Sequence, residues 1–395
     1  MLYLISWLTD CALILFIFSV TRLLAEKQAD GITLGVLGAL FFLSSAISNA
    51  YAGRICDRIG RRLVSLTGAA CLVVSLAIFL IPGSAWWQLY LVYPCVGLAV
   101  GQIYPPVIAL LSHGTHPRQA SLRFLIFGLC FNFGILCGQA GGGWLYDHVS
   151  PQAPVQAALV LASGTFLCLC CVRQPSDLTE ASQPAPPHVT HDPLRAEQFV
   201  RLGWLANCAG MFSMSTLWFL FPKLLVTLSI PADTHGLILS AGRATVMLCY
   251  LTMHLLSHWH FRFRFSMLSQ TLGCLGMLTV SFAGSPLTLG LGVILMSVMM
   301  GYNYFSSLFY NRHAHADHKQ GRGFGLNEAF LGLGAAGGSL LGGLMIGDWG
   351  TRAPFGISAV LILVALSLQM IQFRKFNQRT SAGPGAEPLD DQYDN

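Results

Sequence analysis

Charge is what this chain of 395 residues has least of: 22 Lys and Arg and 17 Asp and Glu make up only 10% of it. A soluble domain carries roughly 25%. So few charges cannot coat a water-facing surface of this length. The formal net charge of +5 is modest, and no nucleic-acid partner is expected. Twelve cysteines are present, but Cys71, Cys95, Cys130, Cys137, Cys168, Cys170, Cys171, Cys208 and Cys249 lie inside apolar runs, where cysteine acts as a small hydrophobe. Cys168, Cys170 and Cys171 have no histidine nearby, so neither zinc nor any other metal or cofactor is expected.

Hydrophobic residues are abundant, at 54%, with 25 Phe, 41 Gly and 8 Trp. The bilayer is the natural solvent for such a chain, and glycine suits closely packed membrane helices. A spanning helix needs about 20 apolar residues. Apolar runs fall near 2–21, 33–52, 63–81, 87–111, 122–146 and 154–172, then near 200–222, 235–257, 265–283, 287–310, 323–346 and 354–373. The fold class is therefore an all-α integral membrane protein of twelve transmembrane helices. The predicted units are a six-helix bundle over 1–172, a cytoplasmic linker over 173–198, a second bundle over 199–376, and a disordered cytoplasmic tail over 377–395. The linker is rich in Pro, Ser and charge and cannot form a core. The first run lacks a basic lead and a small-residue cleavage site, so it reads as a helix rather than a signal peptide. It also begins without a cytoplasmic lead, which predicts a native start upstream of Met1.

Of the 22 Lys and Arg, 17 fall on the side of the linker. Arg22, Lys27, Lys223 and Arg352 fall on the other, and Arg243 lies within a span. Basic residues collect on the cytoplasmic side of membranes. Both termini are therefore expected in the cytoplasm.

An internal repeat has a 200-residue offset. Gly101-Gln-Ile-Tyr104 matches Gly301-Tyr-Asn-Tyr304, and Gly142-Gly143 matches Gly342-Gly343. Equivalent points in two six-helix halves share one orientation, so the repeats are parallel, and paired halves of this kind form a site at their common midplane.

The segment between spans two and three reads Gly53-Arg-Ile-Cys-Asp57-Arg58-Ile-Gly60-Arg61-Arg62. It closely resembles the signature loop of the major facilitator superfamily, G-x-x-x-D-R-x-G-R-R, in the expected place. The resemblance in architecture covers roughly 1–375. It implies a bacterial-type secondary transporter of the inner (plasma) membrane that works by alternating access and is not an enzyme. It also implies that Gly53, Asp57, Arg58, Gly60, Arg61 and Arg62 form a conformational latch, with Asp57 and Arg58 meeting the start of span eleven at Arg322 and Gly323. The plain alternative is that the arginines only hold the loop at anionic lipid.

The chain departs from the family pattern in three places. The second copy of the loop, Ser257-His-Trp-His-Phe-Arg-Phe-Arg264, has no Asp. Span four lacks the Arg of many proton-driven members. Gly138-Gln139-Ala-Gly-Gly-Gly143 resembles the antiporter motif G-P-x-x-G-G with Gln139 in the Pro place.

A charge inside a span costs roughly 2.5–3.5 kcal/mol on insertion scales and points to function. Three such residues are Asp10, Arg243 and Glu328. Asp10 or Glu328 is the expected proton carrier; a permanent ion pair with Arg243 is the alternative. Gln102, Tyr104, Asn132, Asn207, Trp218, Tyr302, Asn303 and Tyr304 are candidates to line a substrate cavity, against the plainer role of bonds between helices. Gly332-Leu-Gly334-Ala-Ala-Gly337 matches G-x-G-x-x-G but lies within a span, so close helix packing is expected, not a dinucleotide site. Expected partners are a small-molecule substrate, a proton as co- or counter-ion, and the lipid bilayer, with the protein a monomer. Export is favoured over uptake. The alternative function is a transport-inactive relative that serves as a membrane sensor or assembly partner.

Overall fold

A computed structural model describes residues 1–81, 86–112, 117–172, 193–314 and 320–381; within its helices the side chains of 53, 54, 57, 112, 117–121, 193, 320–325 and 379–381 fall outside the described set. In chain order the helices are α1 (Leu2–Glu26), α2 (Gly31–Ile59), α3 (Arg61–Phe79), α4 (Leu89–Ser112), α5 (Pro117–His148), α6 (Ala153–Cys171), α7 (Pro193–Phe219), α8 (Phe221–Thr227), α9 (Ala232–Leu255), α10 (Phe263–Phe282), α11 (Pro286–Ala314), α12 (Gln320–Trp349) and α13 (Ala353–Ser381). Eleven are long and apolar enough to cross a membrane, and α7 with α8, bent by 45°, makes the twelfth span. Pro222 sits at the start of α8 and has no N–H for the helical ladder, so the break falls there.

Two helices outrun their apolar segments. α7 begins at Pro193, before the predicted bundle boundary at 199, and α13 runs on to Ser381. The polar first turns of α7 are held as helix by partners. Glu197 pairs with Arg201 at 2.6 Å, and Arg195 Nη2 donates to Phe261 O at 3.1 Å. Apolarity alone does not register such turns.

The helix contacts repeat in order. α1 packs on α5 and α6, α2 on α4, and α3 on α4 and α6. In the same sequence α7 packs on α12 and α13, α9 on α11, and α10 on α11 and α13. The two sets match without inversion, so the repeats are parallel. Two seams join them, α2 against α12 and α5 against α9.

With twelve crossings, both termini lie at one end of the bundle, here called the terminal end. Among the described residues, both seams come into backbone contact at the opposite end. A Cβ on Gly31 would lie 2.6 Å from Gly343 O, and one on Gly35 would lie 2.5 Å from Ser339 O. On the other seam a Cβ on Gly143 would overlap Ala232 O. Small residues let these backbones touch. Hydrogen bonds close the same end: Arg22 Nη2 to Ile230 O at 2.9 Å, Asp233 N to Asp147 Oδ2 at 2.8 Å, and Lys223 Nζ to Ala29 O.

The G-x-G-x-x-G stretch lies within α12, as its packing role requires. A Cβ on Gly334 would overlap Cys208 O of α7.

Candidate functional site

Midway along the bundle the intramembrane charges sit on facing helices. Asp10 on α1 is 1% exposed and accepts a hydrogen bond from Tyr104 OH on α4. Gly134 brings α5 onto α1 at that level, since a Cβ there would lie 2.6 Å from Trp7 O and 3.1 Å from Asp10 Cβ. This places Asn132 of α5 near the seam. Arg243 of α9 reaches across and donates from Nη1 to Asn132 Oδ1 at 3.1 Å. Its guanidinium also lies 5.6 Å from the centre of the Trp218 ring. Among the described residues Arg243 has no carboxylate within 4.0 Å, although Asp10 lies within electrostatic reach. The simple ion pair is therefore absent in this state, and each charge is held by a neutral side chain instead.

Toward the terminal end, Tyr250 of α9 and Tyr304 of α11 stack with ring centres 6.4 Å apart. Glu328 of α12 acts electrostatically on both. Asn327 next to it is 1% exposed, whereas Glu328 is exposed, so adjacent residues on one helix face packing and open space. Asn327 Oδ1 accepts from Asn207 Nδ2 at 2.7 Å and from Ser307 Oγ at 2.8 Å, which pins α12 to α7 and α11. Those two bonds set the direction in which Glu328 points.

The other cavity candidates separate. Tyr104, Asn132, Trp218 and Tyr304 gather around the three charges. Asn207 and Asn303 bond helices within the second half, Asn303 through Ala206 O at 3.3 Å. Gln102 lies away from the group and accepts from Thr67 Oγ1 of α3 at 3.0 Å. Tyr302 also lies apart, its ring 6.1 Å from that of Trp259. Two residues along a helix turn the side chain by some 200°, so Tyr302 points to nearly the opposite side from Tyr304. Tyr250 was not among the sequence candidates. Its only sequence signal is its place two turns beyond Arg243 on the same helix.

Of the signature segment, Gly60 has φ 92°, the left-handed region that favours glycine. Arg61 Nη1 donates to Ala109 O at 3.4 Å, and Arg62 Nη2 to Cys170 O. Both arginines thus tie the segment to helices of their own half. Arg58 is exposed. The side chains of Gly53 and Asp57, and those of Arg322 and Gly323 opposite, lie outside the described residues.

The model of the Major Facilitator Superfamily matches residues 2–316. The chain belongs to this superfamily. Among curated relatives, "Quinolone resistance protein NorA" of Staphylococcus aureus (strain MRSA252) is 22% identical over 368 residues, 88% of this chain and 89% of the relative. "Tetracycline resistance protein, class B" of Escherichia coli is 36% identical over 138 residues, 34% of this chain and 32% of the relative. Among solved structures, a bacterial homolog of the human lysosomal transporter Spinster superposes with a TM-score of 0.74 at 12% identity, covering 98% of each chain. The nucleoside transporter NupG superposes at 0.72 and 14% identity, covering 94% of this chain and 98% of that one. These likenesses show the twelve-helix superfamily fold. This superfamily member is accordingly a multi-pass membrane transporter of small molecules.

Proposed function

We propose that this superfamily member is a proton-coupled secondary exporter of small amphipathic solutes at the inner membrane. The observation that carries the reading is the asymmetry of the seams. The end opposite the termini is closed by backbone contacts and three hydrogen bonds, while Glu328 stands exposed toward the terminal end. With the termini in the cytoplasm, as the basic residues favour, this is a state open to the cytoplasm.

In this reading 1–172 and 199–376 are two bundles that rock about the central site, joined by 173–198, with 377–395 as a tail. Solute enters from the cytoplasm, and its positive or polar group meets Glu328, which has no hydrogen bond or ion pair among the described residues. Asp10 carries the proton against the Tyr104 hydroxyl, and Arg243 senses its charge from the other half. When the terminal end closes, Asp57 and Arg58 latch onto the start of α12. The names of the relatives, which confer quinolone and tetracycline resistance, support export over uptake.

The test is uptake of labelled compounds into inverted vesicles with an imposed proton gradient. Accumulation that collapses with a proton conductor is the expected result. A folded protein that moves no compound in the panel would remove the proposal and favour a sensor or assembly partner.

A further inference from the structure

The turn between α9 and α10, Ser257-His-Trp-His-Phe-Arg-Phe-Arg264, stands where the second signature loop would be. It has lost the acid but kept two arginines and two histidines among aromatic residues. Its fold sorts these groups. Trp259 is 4% exposed, and its Nε1 donates to Met253 O at 2.8 Å. Its ring packs edge-on against Phe309 at 5.0 Å. Phe261 is buried with φ 53°, a conformation that a bulky residue adopts only when packing holds it there. The aromatic residues turn inward, and His258 and Arg264 are left exposed.

Beside this turn a crevice of about 150 Å³ runs between α9 and α10. Met253, Leu256, Trp259, Phe265 and Tyr302 line it, with Thr252 on one side and His258 at its mouth. Arg264 does not line it, but its guanidinium lies 5.4 Å from the ring of Phe265, which does. Drug-sized pockets measure roughly 300–1,000 Å³, so this crevice is too small for such a solute. The leucines around it, Leu251, Leu255 and Leu268, are 40%, 78% and 56% exposed, as residues facing hydrocarbon are.

We propose that this crevice binds one anionic phospholipid, with a short stretch of one acyl chain in the apolar slot, the rest of that chain in the surrounding hydrocarbon, and the phosphate against Arg264 and His258. Each half of the ligand meets its own chemistry: a narrow apolar slot open to hydrocarbon, and a guanidinium with an imidazole donor at the level where headgroups lie. Lys and Arg near an anionic leaflet are drawn to its headgroups. The site would tether α9, which bears Arg243 and Tyr250, to the bilayer at its terminal end. The proposal stands whether or not the chain exports solutes.

The test is native mass spectrometry of the full chain, with phosphatidylglycerol and phosphatidylcholine of matched acyl chains added in equal amounts. Wild type is expected to retain phosphatidylglycerol several-fold more than phosphatidylcholine. The H258Q/R264Q double variant is expected to lose that preference, while R201Q, at an exposed arginine elsewhere, keeps it. T252W leaves Arg264 and His258 in place and should lower retention by narrowing the slot. Equal retention of the two lipids by wild type would overturn the proposal. So would identical behaviour of H258Q/R264Q and R201Q. All the altered side chains are exposed, and melting curves of each variant separate loss of lipid from loss of fold.

Discussion

Arg243 of α9 and Asn132 of α5 are joined by a hydrogen bond of 3.1 Å that crosses from one half of the transporter to the other at the level of Asp10. Asn132 also donates back to Gly128 O at 2.7 Å, so the acceptor is held still on its own helix. A rocking motion that parts α5 from α9 must break this bond or carry Arg243 to another acceptor. Asp10 is the nearest charged one.

Replacing Asn132 by Leu should therefore strand a buried guanidinium in the state described. Leaving such a donor unmet costs about 1–3 kcal/mol, more for a charged group. The expected outcome is a lower melting temperature, together with a transport rate reduced at least tenfold. N132D, which offers Arg243 a carboxylate, should recover stability but not transport, because a fixed ion pair would hold the halves together.

Asp10→Asn keeps the shape of the side chain and still accepts a hydrogen bond from Tyr104. Folding should be near wild type. Transport driven by a proton gradient should fall to the background level, while solute exchange without a gradient persists. Gradient-driven transport that survives D10N would move the proton to Glu328. In E328Q the same pair of assays would then show the loss.

A matched pair of glycines tests the packing of α12 on α7. A Cβ on Gly334 would overlap Cys208 O, while one on Gly337 would sit 3.8 Å from the Phe212 ring in ordinary contact. Gly334→Ala should destabilise the protein by about 1–3 kcal/mol, the usual cost of overpacking. Gly337→Ala should be neutral. Melting curves of the two variants in the same detergent give the comparison.

The sequence carries the spans well because hydrocarbon demands long apolar runs, and the 200-residue offset carries the parallel repeat. What it hides are ends and directions. Apolarity stops near residue 200, but the helix extends back past it, where Arg195 finds a partner, Phe261 O, that only the fold supplies. The intramembrane charges Asp10, Arg243 and Glu328 stand out by their cost in lipid, whereas their partners do not. A tyrosine such as Tyr250 is cheap at an interface or in a core, so nothing marks it before the helices are placed. Gln102 and Tyr302 fail as cavity residues for the same reason. The repeat puts them two residues from Tyr104 and Tyr304, but two steps along a helix turn a side chain by roughly 200°. The glycines of the seams were legible as packing residues by type, while their partners across the halves were not.

The closed end offers the sharpest test of the cycle. A Cβ on Gly143 would overlap Ala232 O, so Gly143→Val should push α9 off α5 where the two helices touch most closely. Ser240 lies along the same seam, 7% exposed, and its Oγ donates to Leu136 O at 3.1 Å. A thiol placed there by S240C is expected to be shielded from an impermeant maleimide added to intact cells. Adding G143V should raise its labelling several-fold, because a wedge at the seal shifts the population toward the state open at that end. The change at Gly143 must act through the seam, since it touches neither Asp10 nor Glu328. Labelling that stays low in the double variant, with the fold intact by melting curve, would show that the α5–α9 contact is not what keeps this end shut.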